Sequence, residues 1–344
     1  MLGRRQASPI TQRRSGTSPS IQLVTRSRLG RGAGPGAGLR AVRVSRCVRD
    51  RLDAGGRAVV RGVQRRTCHL DIVGGPLLML STPGVPLAPN ALTVDVAPYV
   101  VLADAGFRVG QAVALGTSAP PDHDADWLVT LETASTWEPR PRVQWVARRD
   151  LASRLRTARA TVIAEGAGES LLPLLWATGP GTGVERAGVV GAAGIPARLL
   201  CDAAVRGHAI SVAWAARSLA GLGPGLTPSG DDLLAGFAAA WILVGDSVGL
   251  DGAKRERVTA AIFAGAKRGA SPLGRAWLAH SCRGELVEPM TRFVAALLAA
   301  EPRDLGAAVR DALAVGSSSG TDWMVGFLLA AAAMLADAIP GQPW

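Results

Sequence analysis

The chain has 344 residues, 48% of them hydrophobic, with 42 glycines and only 4% aromatic residues, enough for two domains whose cores rest on small aliphatic side chains. Its formal charge of +11 points to nucleic acid until it is located: residues 1–66 hold 16 arginines, no lysine and only Asp50 and Asp53, and the remainder has 22 basic against 25 acidic residues. The body is therefore near neutral and no aromatic side chains interleave with the basic stretch, so nucleic acid is not the expected partner.

Residues 1–40 carry no acid and many Gly, Ser, Pro and Arg, the composition of a disordered basic extension. This segment reads as an unstructured tail or as translated sequence ahead of the true start. A basic arm touching nucleic acid or an acidic partner and a transit-type presequence are the alternatives. Residues 41–145 form the second segment. There "RAVVRGVQ", "CHLDIVG", "PLLMLS" and "ALTVDV" are short, branched or aliphatic runs separated by Gly and Pro, which predicts a β-rich domain, a small barrel or a sandwich. "YVVLADAGFRVGQAVALG" reads as a further strand pair joined at Gly106, and "GTSAPPDHDADW" as a loop.

Residues 146–344 change character. "VARRDLASRLRTARATVIAEG" and "ESLLPLLWATG" have helical spacing, "GPGTGVERAGVVGAAG" reads as a Gly-rich loop, and helices are expected near 195–220, 230–245, 252–269, 272–282, 285–300, 302–314 and 320–338. The predicted class is α+β, with the β-rich domain first and a mainly helical domain second. "LLAGFAAAWILVG" and "WMVGFLLAAAAML" fall short of the ~18 residues of a membrane span and read as buried helices, so no membrane is expected. Cys47, Cys68, Cys201 and Cys282 show no C-x-x-C spacing, which argues against structural zinc or a disulfide framework and for a reducing cytoplasm.

The helical half carries an internal echo. Residues 229–237, "SGDDLLAGF", and 319–327, "SGTDWMVGF", share S-G-x-D-x-x-x-G-F. Ser229 with Asp232, and Ser319 with Asp322, fit a capping box at the start of an apolar helix. Capping does not account for Gly236 and Gly326, which lie four residues after each aspartate on the same helix face and mark a close approach by a helix or a ligand. Nor does it account for "GLGPGLTP" before the first copy. That stiff loop leaves amides free next to a helix N-terminus, a cradle for phosphate or carboxylate. Two acids beside an anion site need either a bridging divalent cation, which the sequence does not require, or a substrate amide for the carboxylates to hold.

"GLGPGLTPSGDDLLAGF", "SPLGRAWLAHSCRGEL", "GSSSGTDWMVGFLLA" and the weaker "TWEPRP" resemble the bacterial family that includes AllH, a subunit of the oxamate carbamoyltransferase of allantoin degradation. The resemblance spans roughly residues 41–338. It implies a subunit of a multi-subunit enzyme that interconverts oxalurate and phosphate with oxamate and carbamoyl phosphate, in purine nitrogen catabolism. Carried onto this chain, Gly223, Gly225, Thr227, Ser229 and Gly230 become the anion cradle, Asp231 and Asp232 hold the amide or a metal, and Ser319, Gly320 and Asp322 complete the pocket. The S-T-R-T and H-P-x-Q signatures of aspartate and ornithine carbamoyltransferases are absent. The implied partners are other subunits and a small anionic amide or phosphate ligand. The alternative is a non-catalytic assembly or small-anion-binding subunit, in which the glycine faces are helix–helix or subunit contacts.

The other candidates have simpler readings. His280 reads as a core or surface helical histidine, although it could reach a pocket. His123 sits among acids in a solvated loop, with a weak metal loop as the alternative; Ser271 reads as a helix cap ahead of a pocket hydroxyl; the pair Cys68–His69 lacks a third member; and Trp214, Trp241 and Trp323 read as core.

Overall fold

The computed structural model describes residues 37–52, 55–117, 124–176, 188–301 and 304–338. The short apolar runs become strands: β1 Ala37–Ser45, β2 Gly56–Val63, β3 Thr67–Ile72, β4 Leu77–Ser81, β5 Ala91–Val94, β6 Ala112–Gly116, β7 Trp127–Thr130 and β8 Ser135–Trp137. Hydrogen bonding runs β5-β4-β3-β2-β6-β7-β1-β8, and β5 also pairs with β1. Seven strands therefore close into a barrel, and β8 adds to β1 as an extra parallel strand. Closure removes open edges from strands only four to nine residues long. The first strand begins at Ala37, inside the stretch read above as basic extension; residues 1–36 lie outside the described residues. The strand pair expected around Gly106 is one strand, β6, because residues 98–111 are turns, with Gly106 and Gly110 at positive φ.

Strands β4 and β5 are buried along their whole lengths, and period-2 alternation explains why. Leu78, Leu80, Leu92 and Val94 point into the barrel core, whereas Met79 and Ala91 belong to the core of the helical half. The two halves share this wall. They are tied further by Arg43 on β1, whose guanidinium pairs with Glu288 at 2.9 Å, and by the extended segment after β8. There the Leu286 amide donates to the Pro139 carbonyl, and the Gln144 amide donates to that of Leu298.

Ten α-helices lie among the described residues. A short one, α1 (Arg46–Leu52), follows β1. The others are α2 Arg148–Glu165, α3 Gly188–Arg206, α4 Ala209–Leu219, α5 Ser229–Leu243, α6 Gly252–Ala266, α7 Pro272–Ser281, α8 Glu288–Leu297, α9 Leu305–Leu313 and α10 Ser319–Ala338. "ESLLPLLWATG" yields only a 3-10 turn at Leu172–Leu175. Gly188–Gly194, read as loop, opens α3 instead. The single helix expected at 195–220 breaks at Gly207, whose φ of +72° ends α3 before α4 begins.

Helix α3 and residues Ser319–Asp337 of α10 are, by length and composition, long and apolar enough to cross a membrane, contrary to the sequence reading. The α10 stretch is 72% buried inside the protein, against α5, where a core helix belongs.

Candidate functional site

The echoed motifs meet at the centre of the helical half. Helices α5 and α10 cross where a Cβ on Gly236 would overlap the Trp323 carbonyl, and one on Gly326 would overlap that of Leu233. The relation is reciprocal, so the two glycines exist for backbone-to-backbone packing. The same holds one step earlier. A side chain on Gly230 would strike the Leu219 carbonyl at the end of α4, and one on Gly320 would strike that of Ala312 on α9. Gly230 and Gly320 thus seat each helix start on the end of an earlier helix. That role accounts for both without a ligand.

The capping box does not form at the first copy. Pro228 is the N-cap of α5 and no side chain caps it; Ser229 is already the first helical residue. The carboxylates reach across between copies instead. The hydroxyls of Ser319 and Thr227 pull the pKa of Asp232 down, and those of Ser229 and Ser318 pull that of Asp322 down, so each carboxyl feels a serine of the other copy. Thr227 Oγ1 and Ser319 Oγ lie 2.9 Å apart, which closes the junction.

Asp232 is 2% exposed and Asp322 is fully buried. One oxygen of each, Oδ2, has no hydrogen-bond partner. Burial pushes Asp232 well above the usual carboxylate range. The Ser319 hydroxyl opposes that shift, and the neighbouring charge of Asp322 adds to it. Asp322 is raised by burial too, against the pull of the Leu171 amide, which donates at 2.6 Å. The upward shift biases Asp232 toward its protonated form, which eases the contradiction of adjacent aspartates at an anion site.

Asp231 faces elsewhere. Its two oxygens accept from the amides of Gly221 and Ser271, each at 2.8 Å, so it braces the loop before α5 against the start of α7. A Cβ on Gly274 would collide with it. Burial raises its pKa and those two amides restrain the rise.

The loop ahead of α5 keeps its donors free. Gly223 and Gly225 have φ of +109° and +102°, a left-handed backbone that favours glycine. The amides of Gly223, Gly225, Leu226, Thr227 and Ser229 donate to no protein group among the described residues, and neither do those of Ser317, Ser318 and Ser319. Two helix N-termini with unspent amides thus converge on the Thr227–Ser319 contact. Pro224, Gly225 and Leu226 are exposed, so the junction opens to solvent.

Asp232 has a second exposure, inward. It lines a narrow cavity of about 10 Å³ with Trp277, Ser281, Glu285 and Trp323, and the buried Trp277 Nε1 has no acceptor. Glu285 and Pro89 also border a cleft of about 390 Å³ between barrel and helices, lined by Cys47, Arg51, Asn90, His280 and Arg283 among others. His280 Nδ1 lies 2.6 Å from Glu285 Oε2, and Arg283 reaches the same oxygen at 2.9 Å. Burial would raise Glu285, but the hydrogen bonds from His280 and Arg283, with the Arg283 charge, hold it down at about 2. Burial lowers His280 against the pull of Glu285. Burial, helped by the Glu285 charge, lifts the Cys47 thiol to about 11.

Sequence reasoning read His280 as a helical histidine that could reach a pocket, and assigned no role to Arg283 or Glu285. The signal was in view: "HSCRGEL" is a turn that packs a base, a cation and an acid into six residues.

The remaining candidates fall as their simpler readings expected, with one exception. Ser271 caps α7, its hydroxyl accepting from the Gly274 amide at 3.0 Å. Cys68 is buried in the barrel core with its thiol pushed up to about 12 by burial. Trp241 and Trp323 are core, but Trp214 is 56% exposed on α4. All four cysteines are free. His123 lies outside the described residues.

Residues 219–331 match the model of a protein family described as oxamate carbamoyltransferase subunit AllH. No curated protein and no solved structure matches the chain. The matched segment begins at the end of α4 and ends within α10, so it holds both copies of the motif and the His280–Glu285 turn.

Proposed function

We propose, from the match of residues 219–331 to the AllH family model, that this chain is a subunit of an oxamate carbamoyltransferase-like enzyme, working with other subunits in allantoin-type nitrogen catabolism in the cytoplasm. The observation that carries this reading is the convergence of two helix N-termini over a buried, partly unpaired carboxylic acid. Phosphate, or the oxamate carboxylate, sits on the free amides of Gly223, Gly225 and Ser229 and on the Thr227 and Ser319 hydroxyls. Asp232 handles the amide end.

In the reaction a phosphate oxygen attacks the ureido carbonyl of oxalurate, and the bond from that carbon to the oxamate nitrogen breaks. Protonated Asp232 gives its proton to the departing nitrogen and regains one from the hydrogen phosphate, so charge and atoms balance. The amides stabilise the oxyanion formed between these steps. Asp322 supports Asp232 and keeps its proton on. Asp231 takes a bracing role, and a ligand role for it is not required.

The test is carbamoyl phosphate formation by the complex reconstituted from all its subunits. Asp232→Asn should lower turnover by about 100-fold or more, the scale of a lost general acid, while the complex still assembles. Full activity in that variant would remove Asp232 from the chemistry.

A second reading, a non-catalytic assembly subunit, is favoured by a different observation. Ile210 and Trp214 share one face of α4 and are 89% and 56% exposed, which suits a subunit contact, and packing alone explains Gly236 and Gly326. Melting of the isolated chain with and without carbamoyl phosphate separates the two. A rise in Tm supports a site in this subunit, and no rise at millimolar ligand supports the assembly role.

A further inference from the structure

Cys47 on α1, His280 on α7 and Glu285 just after it bring a thiol, an imidazole and a carboxylate together. One ligand atom from each lies within 4.8 Å of the other two, and all three residues line the cleft between barrel and helices. We propose that this trio is a binding site for a zinc-type divalent transition metal, held by three protein ligands with its fourth position open to the cleft.

The donor set selects the metal. Thiolate and imidazole suit zinc and cobalt and do not suit magnesium or calcium, and three protein ligands with an open position are the pattern of a site that also takes water or a ligand oxygen.

Geometry supplies a second reason. His280 Nδ1 lies 2.6 Å from Glu285 Oε2, and Arg283 Nη2 lies 2.9 Å from each of them. With Nδ1 protonated, His280 and Arg283 both donate to Glu285 Oε2, so imidazole and carboxylate are already held face to face. An ion would take the place of the shared proton once the two atoms part by roughly 0.7 Å, the spacing of two ligands on a tetrahedral ion.

Arg283, whose side chain is 54% exposed, would then turn into the cleft. It is a cation already lodged against two of the three donors. Binding releases one proton, from the Cys47 thiol, and the bound ion with one thiolate and one carboxylate is electrically neutral. The ligands come from both halves of the molecule, so the ion would also pin α1 to the end of α7.

This inference does not depend on the role assigned to the α5 and α10 termini. Cobalt(II) is the probe. Added to the full chain freed of metal by a chelator, it should give a near-ultraviolet thiolate-to-cobalt charge-transfer band with strong visible bands of a four-coordinate ion, saturating at one ion per chain and bleached by zinc. Cys47→Ser should abolish the near-ultraviolet band, and Cys282→Ser should leave it intact. Glu285→Gln and His280→Ala should each weaken cobalt binding by more than the roughly 10–100-fold of a lost outer-shell partner. Circular dichroism of each variant confirms that it is folded. If Cys47→Ser does not fold, blocking of Cys47 alkylation by zinc in the unaltered chain, read by peptide mass, decides in its place. Absence of the band, its survival in Cys47→Ser, or unchanged Cys47 alkylation with zinc present overturns the proposal.

Discussion

The starts of α5 and α10 share five positions of sequence and one crossing, yet they live in different surroundings. Each glycine of the crossing abuts a carbonyl of the other helix, and the pKa of each aspartate is pulled down by a serine hydroxyl of the other copy. Beyond that the symmetry stops. Asp322 takes the Leu171 amide at 2.6 Å, and Thr321 takes that of Ala167 at 3.0 Å, so the second copy is plugged by the segment after α2. Asp232 lies beside hydroxyls that lower its pKa and opens on a cavity. The repeat thus encodes a helix pair, and what distinguishes a supporting half from a candidate working half lies outside the repeat. The loop before the helix and the element packed beside it decide.

The comparison can be broken first at the crossing. Gly236→Ala and Gly326→Ala place a methyl into a facing carbonyl, and each should destabilise the chain by ~3 kcal/mol or more, the upper range for overpacking. Because the contact is reciprocal, the two drops in Tm should match closely. A tolerated change at one glycine alone would mean that the crossing is not symmetric.

The aspartates should then separate. Asp322→Ala strands the buried Leu171 amide and should destabilise by about 1–3 kcal/mol. Asp232→Asn keeps the shape of a protonated acid and should leave the melting temperature at low pH nearly unchanged, while activity falls. Equal thermal losses for both would erase the distinction between a plugged and an open copy.

The pH dependence sharpens it further. Asp232 has a folded pKa raised above the unfolded value near 3.9. For a raised carboxyl, stability is fully present below the unfolded pKa and is lost as pH rises through the folded one. Glu288 has the opposite sign. Burial would raise it, but Arg43 and the Leu87 amide hold it low, so its contribution is present above the unfolded pKa near 4.3 and is lost as pH falls below that toward the folded one. Melting curves from about pH 2 to 9 should show Asp232→Asn gaining on the unaltered chain with rising pH. Glu288→Gln should close its deficit as the pH drops below 4.

How much of this was legible in the sequence varies by element. Strands β2 to β5 and most helices were readable, because period and punctuation are local signals. Barrel closure was not, because the β1–β5 pairing joins residues about 50 apart and leaves no trace in either run. The meeting of Thr227 with Ser319 followed from the echo of two motifs. The crossed carboxylates did not, since a capping box and a cross-helix bond use the same residue types at the same spacing. Gly236 and Gly326 were flagged correctly as close approaches, but only coordinates assign the approach to a helix. Cys47 was invisible beside His280 and Glu285, because more than 230 residues separate them and metal-ligand arithmetic looks for short spacings.

The smallest expected effect tests the seam itself. Thr227→Val keeps the shape and removes one hydroxyl of the 2.9 Å contact; Ser319→Ala removes the other. Each should destabilise by about 1 kcal/mol, the net worth of one hydrogen bond. The informative quantity is their coupling. If the two hydroxyls bond mainly to each other, the double variant should lose about as much as either single one, a coupling of order 0.5–1 kcal/mol. If each spends its proton on Asp232 instead, the losses should add, and Asp232→Ala, which removes the acceptor, should abolish the effect of both. Additivity would then place the acid, rather than the hydroxyl pair, at the centre of the junction.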